Sequence, residues 1–251
     1  TMSTTSSIHG PQATLPRKHA VPAETKAKLP TAPTGAISYG EAWRVFLKHP
    51  NAWLLFTALS VAVVGRIVVG GYSLWDVAIV AAIVAYQPFQ EWLIHVHILH
   101  FKPRKLGPFV LDFELARRHR HHHNDPWDLP TVFVPHGTLW FAVVVHAVLW
   151  LSVMPSLGLA LTTLTIVTAM GLFYEFHHYV IHTTYKPKTK FFKNMTRLHR
   201  LHHFKNEHYW YGVTMYQGDA LLGTLPKHQR DVPTSPTARD IGGVAAGDCE
   251  L

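Results

Sequence analysis

The chain has 251 residues, of which 48% are hydrophobic and 15% charged. That charged share is well below the roughly 25% of soluble domains, which points to a membrane protein built as one domain. A net charge of +8 without a recognisable nucleic-acid module excludes nucleic acid and favours anionic lipid surfaces; a single cysteine, Cys249, excludes disulfide frameworks, thiolate zinc sites and four-cysteine iron–sulfur clusters.

Residues 1–35 are rich in Ser, Thr, Pro and Ala without apolar periodicity, and are predicted to be a disordered tail. No apolar stretch follows their basic residues, so they do not form a secretory signal. The main domain is expected over residues 36–233. It opens with Ser38-x-x-Glu41, a capping-box pattern that starts helices. Trp43, Phe46 and Leu47 then share a face opposite Arg44 and Lys48. They form either a short helix lying on the bilayer or the first turns of the next helix.

Four membrane spans are predicted. The first covers residues 52–69, with Arg66 placed to snorkel. The second, 74–94, is apolar in its first half and carries Gln87, Gln90 and Glu91 in its second, where Pro88 should kink it. The third, 139–154, is short for a crossing of about 20 residues. The fourth, 157–181, becomes polar at Glu175, His177 and His178. Gly71-Tyr72-Ser73 and Pro155-Ser156 are the tight connections. Between spans two and three, residues 109–120 read as a helix ended by Pro126 and Pro130. Residues 190–203 read as another, and 234–251 as a loose tail.

All but Arg66 of the 23 Lys and Arg residues fall in the N-terminal segment, the 95–138 loop or the segment after 182. The positive-inside rule places these three on the cytosolic face. The architecture expected is therefore an all-α integral membrane protein, four transmembrane helices under a cytosolic helical cap.

The same segments carry histidines in four groups: His95 and His100; His119, His122 and His123; His178 and His182; His199, His202 and His203. Residues three and four apart share a helix face, so each H-x2-H-H unit is expected to point one way. His95 and His100 lie about 140° apart on a regular helix of roughly 3.6 residues per turn, so the helix must end or unwind between them. Ten neutral imidazoles are enough ligands for two ions of iron, zinc or copper. His9, His19, His49 and His228 read as tail or helix-end residues, and His97 and His121 as surface residues or outer partners of the ligands. His146, in mid-span, reads as a helix–helix hydrogen-bonding group. His136, His177 and His208 are left between surface and outer-partner roles. A membrane-face site meets acyl or isoprenoid chains. Attack on their unactivated C–H bonds needs an oxidant, which zinc cannot be and iron with dioxygen can. Glu175, one turn before His178, is either a solvated or helix-pairing carboxylate or a group orienting that imidazole.

Five segments carry a resemblance: EWLIHVHILH (91–100), HRHHHNDPWD (119–128), YEFHHYVIH (174–182), LHRLHHFKN (198–206), and YGVT (211–214) followed by Gly223-Thr224. The chain resembles the fatty acid hydroxylase/sterol desaturase superfamily, and within it the fatty acid (sphingolipid) 2-hydroxylases. The resemblance implies a dimetal centre of two iron ions held by those ten histidines, with zinc able to replace iron in purified samples. It also implies dioxygen-dependent hydroxylation of a lipid acyl chain in lipid biosynthesis. Tyr174 and Glu175 match a Tyr-Asp pair near the metal and are the implied catalytic residues. The Glu is a departure, as are His136 in place of proline and His97 in place of arginine. The haem domain of many fungal and animal members is missing from the sequence, which implies a separate electron-transfer protein or reductase. A bacterial inner membrane or endoplasmic reticulum is the implied location. Competing readings are a sterol desaturase or carotenoid hydroxylase with the same metal site, and a zinc-binding membrane protein that is no enzyme.

Overall fold

The computed structural model describes residues 35–239 and 241. His9, His19, Cys249 and nearly all of the tail expected over residues 1–35 lie outside the described residues.

The chain is mostly helical. Helix α1 (Tyr39–Phe46) starts at the predicted capping box. The Glu41 amide donates to the Ser38 hydroxyl at 3.2 Å, and the Ser38 amide to the Glu41 carboxylate at 2.6 Å. It is a helix of its own. Its apolar face turns inward rather than to lipid, burying Ala42 and Phe46 and stacking Trp43 on Phe176 at 3.9 Å.

Four helices are long and apolar enough to cross a membrane: α2 (Pro50–Val69), α3 (Leu74–Ile94), α6 (His136–Val153) and α7 (Leu157–Ile181). The α6 helix begins three residues before the predicted span, and the short α5 (Leu129–Val132) precedes it. Large apolar side chains such as Val68, Trp75, Phe141 and Val148 stay exposed, as lipid-facing residues should. Arg66 does not snorkel. It is buried and pairs with Asp76 at 2.8 Å, and both side chains bond Thr162, so α2, α3 and α7 are tied at the end away from the histidines.

Helix α3 continues through Pro88, where a kink was predicted, and passes into a π-helical turn at His95–Leu99. Helix was expected over 109–120. The chain instead forms a hairpin of β1 (Arg104–Leu106) and β2 (Phe109–Leu111), turned at Gly107 with φ +62°. Helix α4 (Glu114–Asn124) follows and stops before Pro126, while Pro130 opens α5 in its first turn. Helices α8 (Lys190–Phe204) and α9 (Gln217–Leu221) complete the set that matters for the site.

A loose tail was expected from residue 234. Ser235–Arg239 are instead bound to the cap. The Ser235 amide donates to Lys205 O at 2.8 Å, and Arg239 donates to Asn124 O at 2.9 Å. Both contacts end on main-chain carbonyls, one from an amide and one from a guanidinium, and a stretch without apolar periodicity does not announce them in sequence. The largest apolar cluster joins Ala42, Phe46, Ala52, Phe133, Phe176 and Tyr179 beside the histidine end of the bundle.

Candidate metal centre

All ten predicted histidines meet where α3, α4, α7 and α8 converge. They form two groups of five: His95, His100, His119, His123 and His202; and His122, His178, His182, His199 and His203. Within each group the ring nitrogens that face inward lie within 4.8 Å of one another.

The H-x2-H-H units do not point one way, as the sequence spacing suggested. Each is split. His119 and His123 enter the first group and His122 the second; His199 and His203 enter the second and His202 the first. The reason is angular. Positions i and i+4 differ by about 40° around a helix, whereas i+3 and i+4 differ by about 100°. A helix lying between two centres therefore serves both, so α4 and α8 each feed both groups. The π-turn resolves the His95/His100 problem. An i→i+5 bond from the His100 amide to His95 O at 3.0 Å brings the two rings onto one side, 4.9 Å apart.

Burial, and after it the neighbouring histidines, hold the imidazoles of His100, His119, His122, His123, His182, His199 and His203 well below their ordinary value. Burial takes His202 down to about 4. All eight are neutral at physiological pH, the form that ligates metal.

The donor set fits metal ions. Nδ1 of His95, His123 and His202 donates to the carbonyls of Tyr211, Ala238 and Tyr209 at 2.6, 2.9 and 2.8 Å. A carbonyl only accepts, so Nδ1 carries the proton and Nε2 presents its lone pair inward. The buried Nε2 atoms of His100, His123, His178 and His202 have no hydrogen-bond partner among the described residues. Elsewhere Nε2 faces Nε2 at 3.0–3.2 Å, between His95 and His119, His122 and His182, and His199 and both His182 and His203. Lone pairs converging without donors are costly when buried, and a cation in each group would satisfy them. Thiolates are absent from both groups, so the set is one of all-nitrogen ligands.

A segment that sequence reasoning did not assign to the site holds one wall in place. Residues Tyr211–Thr214 are gripped from both sides. Glu91 accepts from the amides of Val213 and Thr214 at 3.1 and 3.0 Å and from the Thr214 hydroxyl. Asp219 accepts from the amides of Tyr211 and Gly212 at 2.8 and 2.7 Å. The clamp fixes the Tyr211 carbonyl, and through it the His95 ring. Its sequence signals were the polar end of span two and the YGVT stretch itself, which carried the resemblance without revealing what it contacts.

Glu175 does not contact His178 through a hydrogen bond. Its oxygens accept from Asn51 Nδ2 at 2.9 Å and the Val134 amide at 3.0 Å. It thus joins α2, α7 and the start of α6, a role that spacing alone could not reveal because both partners are more than 40 residues away. The Tyr174 ring sits 5.6 Å from the His178 ring. Of the remaining histidines, His97, His121, His208 and His228 are exposed, and His136 bonds Asn51 at 2.9 Å. His49 caps α2, and His177 is buried between Phe173 and Phe192. His146 bonds no other helix: its Nδ1 donates to Ala142 O of its own helix at 2.8 Å.

A cavity of about 570 Å³ lies among the four long helices. Apolar side chains such as Leu55, Val143, Leu151, Leu161 and Val167 line most of it, and it ends against His95, Glu91, Tyr174 and Tyr211. Its volume is in the range of small-molecule sites, and His95 of the first histidine group is part of its wall.

Three comparisons bear on this arrangement. The family model for fatty acid hydroxylases matches residues 79–224. Two curated relatives come from Arabidopsis thaliana. Dihydroceramide fatty acyl 2-hydroxylase FAH2 is 29% identical over 137 residues, 54% of this chain and 55% of that protein. Dihydroceramide fatty acyl 2-hydroxylase FAH1 is 28% identical over 188 residues, 70% of this chain and 72% of that protein. The chain thus spans only about half the length of the first of them. A solved structure of full-length scs7p, in which only the hydroxylase domain is visible, superposes with a TM-score of 0.57 at 20% identity. It covers 73% of this chain and 69% of its own. At that identity the likeness is one of fold.

Proposed function

Since the chain belongs to the fatty acid hydroxylase family, we propose that it is a membrane-embedded non-haem di-iron oxygenase. Its reaction is hydroxylation of a lipid acyl chain in lipid biosynthesis, in the manner of a fatty acid or sphingolipid 2-hydroxylase. One observation carries the reading: the apolar cavity between the spans stops at His95 and Tyr174, so a chain lying in it presents one end to the histidines.

In this reading His95, His100, His119, His123 and His202 hold one iron and His122, His178, His182, His199 and His203 the other. Bound there, the irons would supply the dioxygen chemistry that an unactivated C–H bond demands, one oxygen atom entering that bond and the other leaving as water with two protons taken from solvent. Two electrons come from a separate electron-transfer protein or reductase. The cavity walls strip water from the chain and hold it extended. Tyr174, on the cavity wall beside His178, meets the reacting end of the substrate. Glu175 keeps that wall in register by bonding Asn51 and Val134. The site lies on the cytosolic face of a bacterial inner membrane or of the endoplasmic reticulum, because the Lys and Arg residues flank the same helix ends as the histidines.

The test is to express the chain and its His122→Ala variant in cells lacking 2-hydroxy lipids. Hydrolysed fatty acids are then analysed by mass spectrometry, with iron and zinc counted per purified chain. The expected result is 2-hydroxy fatty acids and about two irons from the unaltered chain, and neither in the variant. A desaturated product or no product, from protein carrying two irons, would overturn the assigned reaction.

A further inference from the structure

The cavity is not uniformly apolar. His146 lies on its wall, centred in the α6 stripe of Leu139, Ala142, Val143, Ala147 and Leu151. The ring is oriented: Nδ1 lies 2.8 Å from the Ala142 carbonyl of its own helix, so Nδ1 carries the proton and Nε2 is an acceptor. Among the described residues Nε2 has no protein partner. Thr168 of α7, another polar side chain, lines the same cavity. Gln87, Gln90 and Thr138 also line the cavity, but none of them bonds His146 among the described residues, so an acceptor with a fixed tautomer in this mainly apolar chamber is satisfied by a donor that arrives with the ligand.

We propose that His146 is a specificity-determining residue that reads a hydroxyl group on the distal part of the acyl chain; the proposal rests on the acyl-hydroxylase reading above. Depth sets where that hydroxyl sits. Val134 is level with Glu175 through their hydrogen bond. His146 lies ten residues beyond His136, the first residue of α6, which is about 15 Å along a helix axis. An extended chain advances about 3.6 Å per three bonds, so about 15 Å corresponds to roughly a dozen bonds. The substrate class inferred is therefore a long saturated acyl chain hydroxylated near its far end, held with that hydroxyl on Nε2 and its carbonyl end at the histidines.

The experiment measures binding separately from turnover. Laurate and its ω-hydroxy derivative, whose hydroxyl lies about twelve bonds from the carbonyl carbon, compete with a fluorescent fatty acid for the purified holoprotein in nanodiscs, using the unaltered chain, His146→Leu and His146→Gln. The expected result is a preference of about tenfold for the ω-hydroxy acid, a ratio near one in His146→Leu, and recovery in His146→Gln, whose side chain restores an acceptor. Equal binding of the two acids by the unaltered chain, or a preference that survives in His146→Leu, overturns the proposal. Product analysis of the same samples judges the enzymatic reading on its own: a tenfold binding preference without hydroxylated product defeats that reading and leaves this one standing.

Discussion

His122 and His123 are neighbours in the chain yet face different groups, while His121 beside them is exposed. Three adjacent substitutions therefore have different expected outcomes. His122→Ala and His123→Ala each remove one proposed ligand, from different groups, and should abolish turnover and lower the metal content. His121→Ala should leave metal content near that of the unaltered chain. Elemental analysis of the three proteins decides the matter, and full metal loading in His122→Ala would refute the ligand assignment. Glu175 poses a different question. Glutamine in its place can still accept from the Val134 amide, but its amide nitrogen then faces the Asn51 donor. Leaving such a buried pair mismatched costs about 1–3 kcal/mol. Glu175→Gln is thus expected to lower the melting temperature and activity while retaining most of the metal. Loss of all metal would make Glu175 a direct ligand instead.

At the scale of elements, the docking of α9 on α3 is set by Gly218. A Cβ there would lie 2.2 Å from the Pro88 carbonyl oxygen, a backbone atom that cannot step aside. Gly218→Ala must push α9 away, and Asp219, which grips Tyr211–Gly212, moves with it. The expected outcome is a loss of about 1–3 kcal/mol of stability, together with weaker metal retention in the group that contains His95. A thermal melt with unchanged midpoint would show that the contact is slack. The bounds of α3 and α7 were legible because mainly apolar runs, interrupted by Asp76 in the one and Thr162-Thr163 in the other, follow Ser73 and Ser156, both helix caps. The Ser38 capping box was legible for the same local reason. The hairpin at 104–111 was not: Phe109-Val110-Leu111 fits a helix or a strand equally well in so short a run, and pairing with Arg104–Leu106 decided it. Arg66 was misjudged because Asp76, its partner, stands beyond a turn whose geometry the two glycines set.

For the molecule as a whole, the membership of the site was readable and its wiring was not. Spacing and charge distribution brought the ten histidines together. Which ring joins which group depends on helix orientation, and the grip of Glu91 and Asp219 on Tyr211–Thr214 depends on contacts across the fold. The sum of these burials has a pH signature. Eight cap histidines are held below their ordinary value in the folded protein, while in the unfolded chain each takes up a proton near about 6.5. As pH falls through about 6.5, the unfolded state binds more protons than the folded one, so stability falls. It keeps falling until the folded-state values are reached. Metal-free protein should therefore melt earlier at about pH 5.5 than at neutral pH, and loaded protein should release metal over the same range. A melting temperature constant across that window would mean the imidazoles take protons without unfolding the cap.

The splitting of each H-x2-H-H unit has a thermodynamic corollary. Because α4 and α8 both supply histidines to both groups, an ion filling one group would draw together the same two helices that the other requires. Part of the ordering cost of the second ion is then already met by the first, which is positive coupling in the sense of linkage. Native mass spectrometry during metal titration should show chains with none and chains with two, and few with one. Reciprocally, whatever strips one ion loosens its neighbour, so the pair should be gained and lost as a unit.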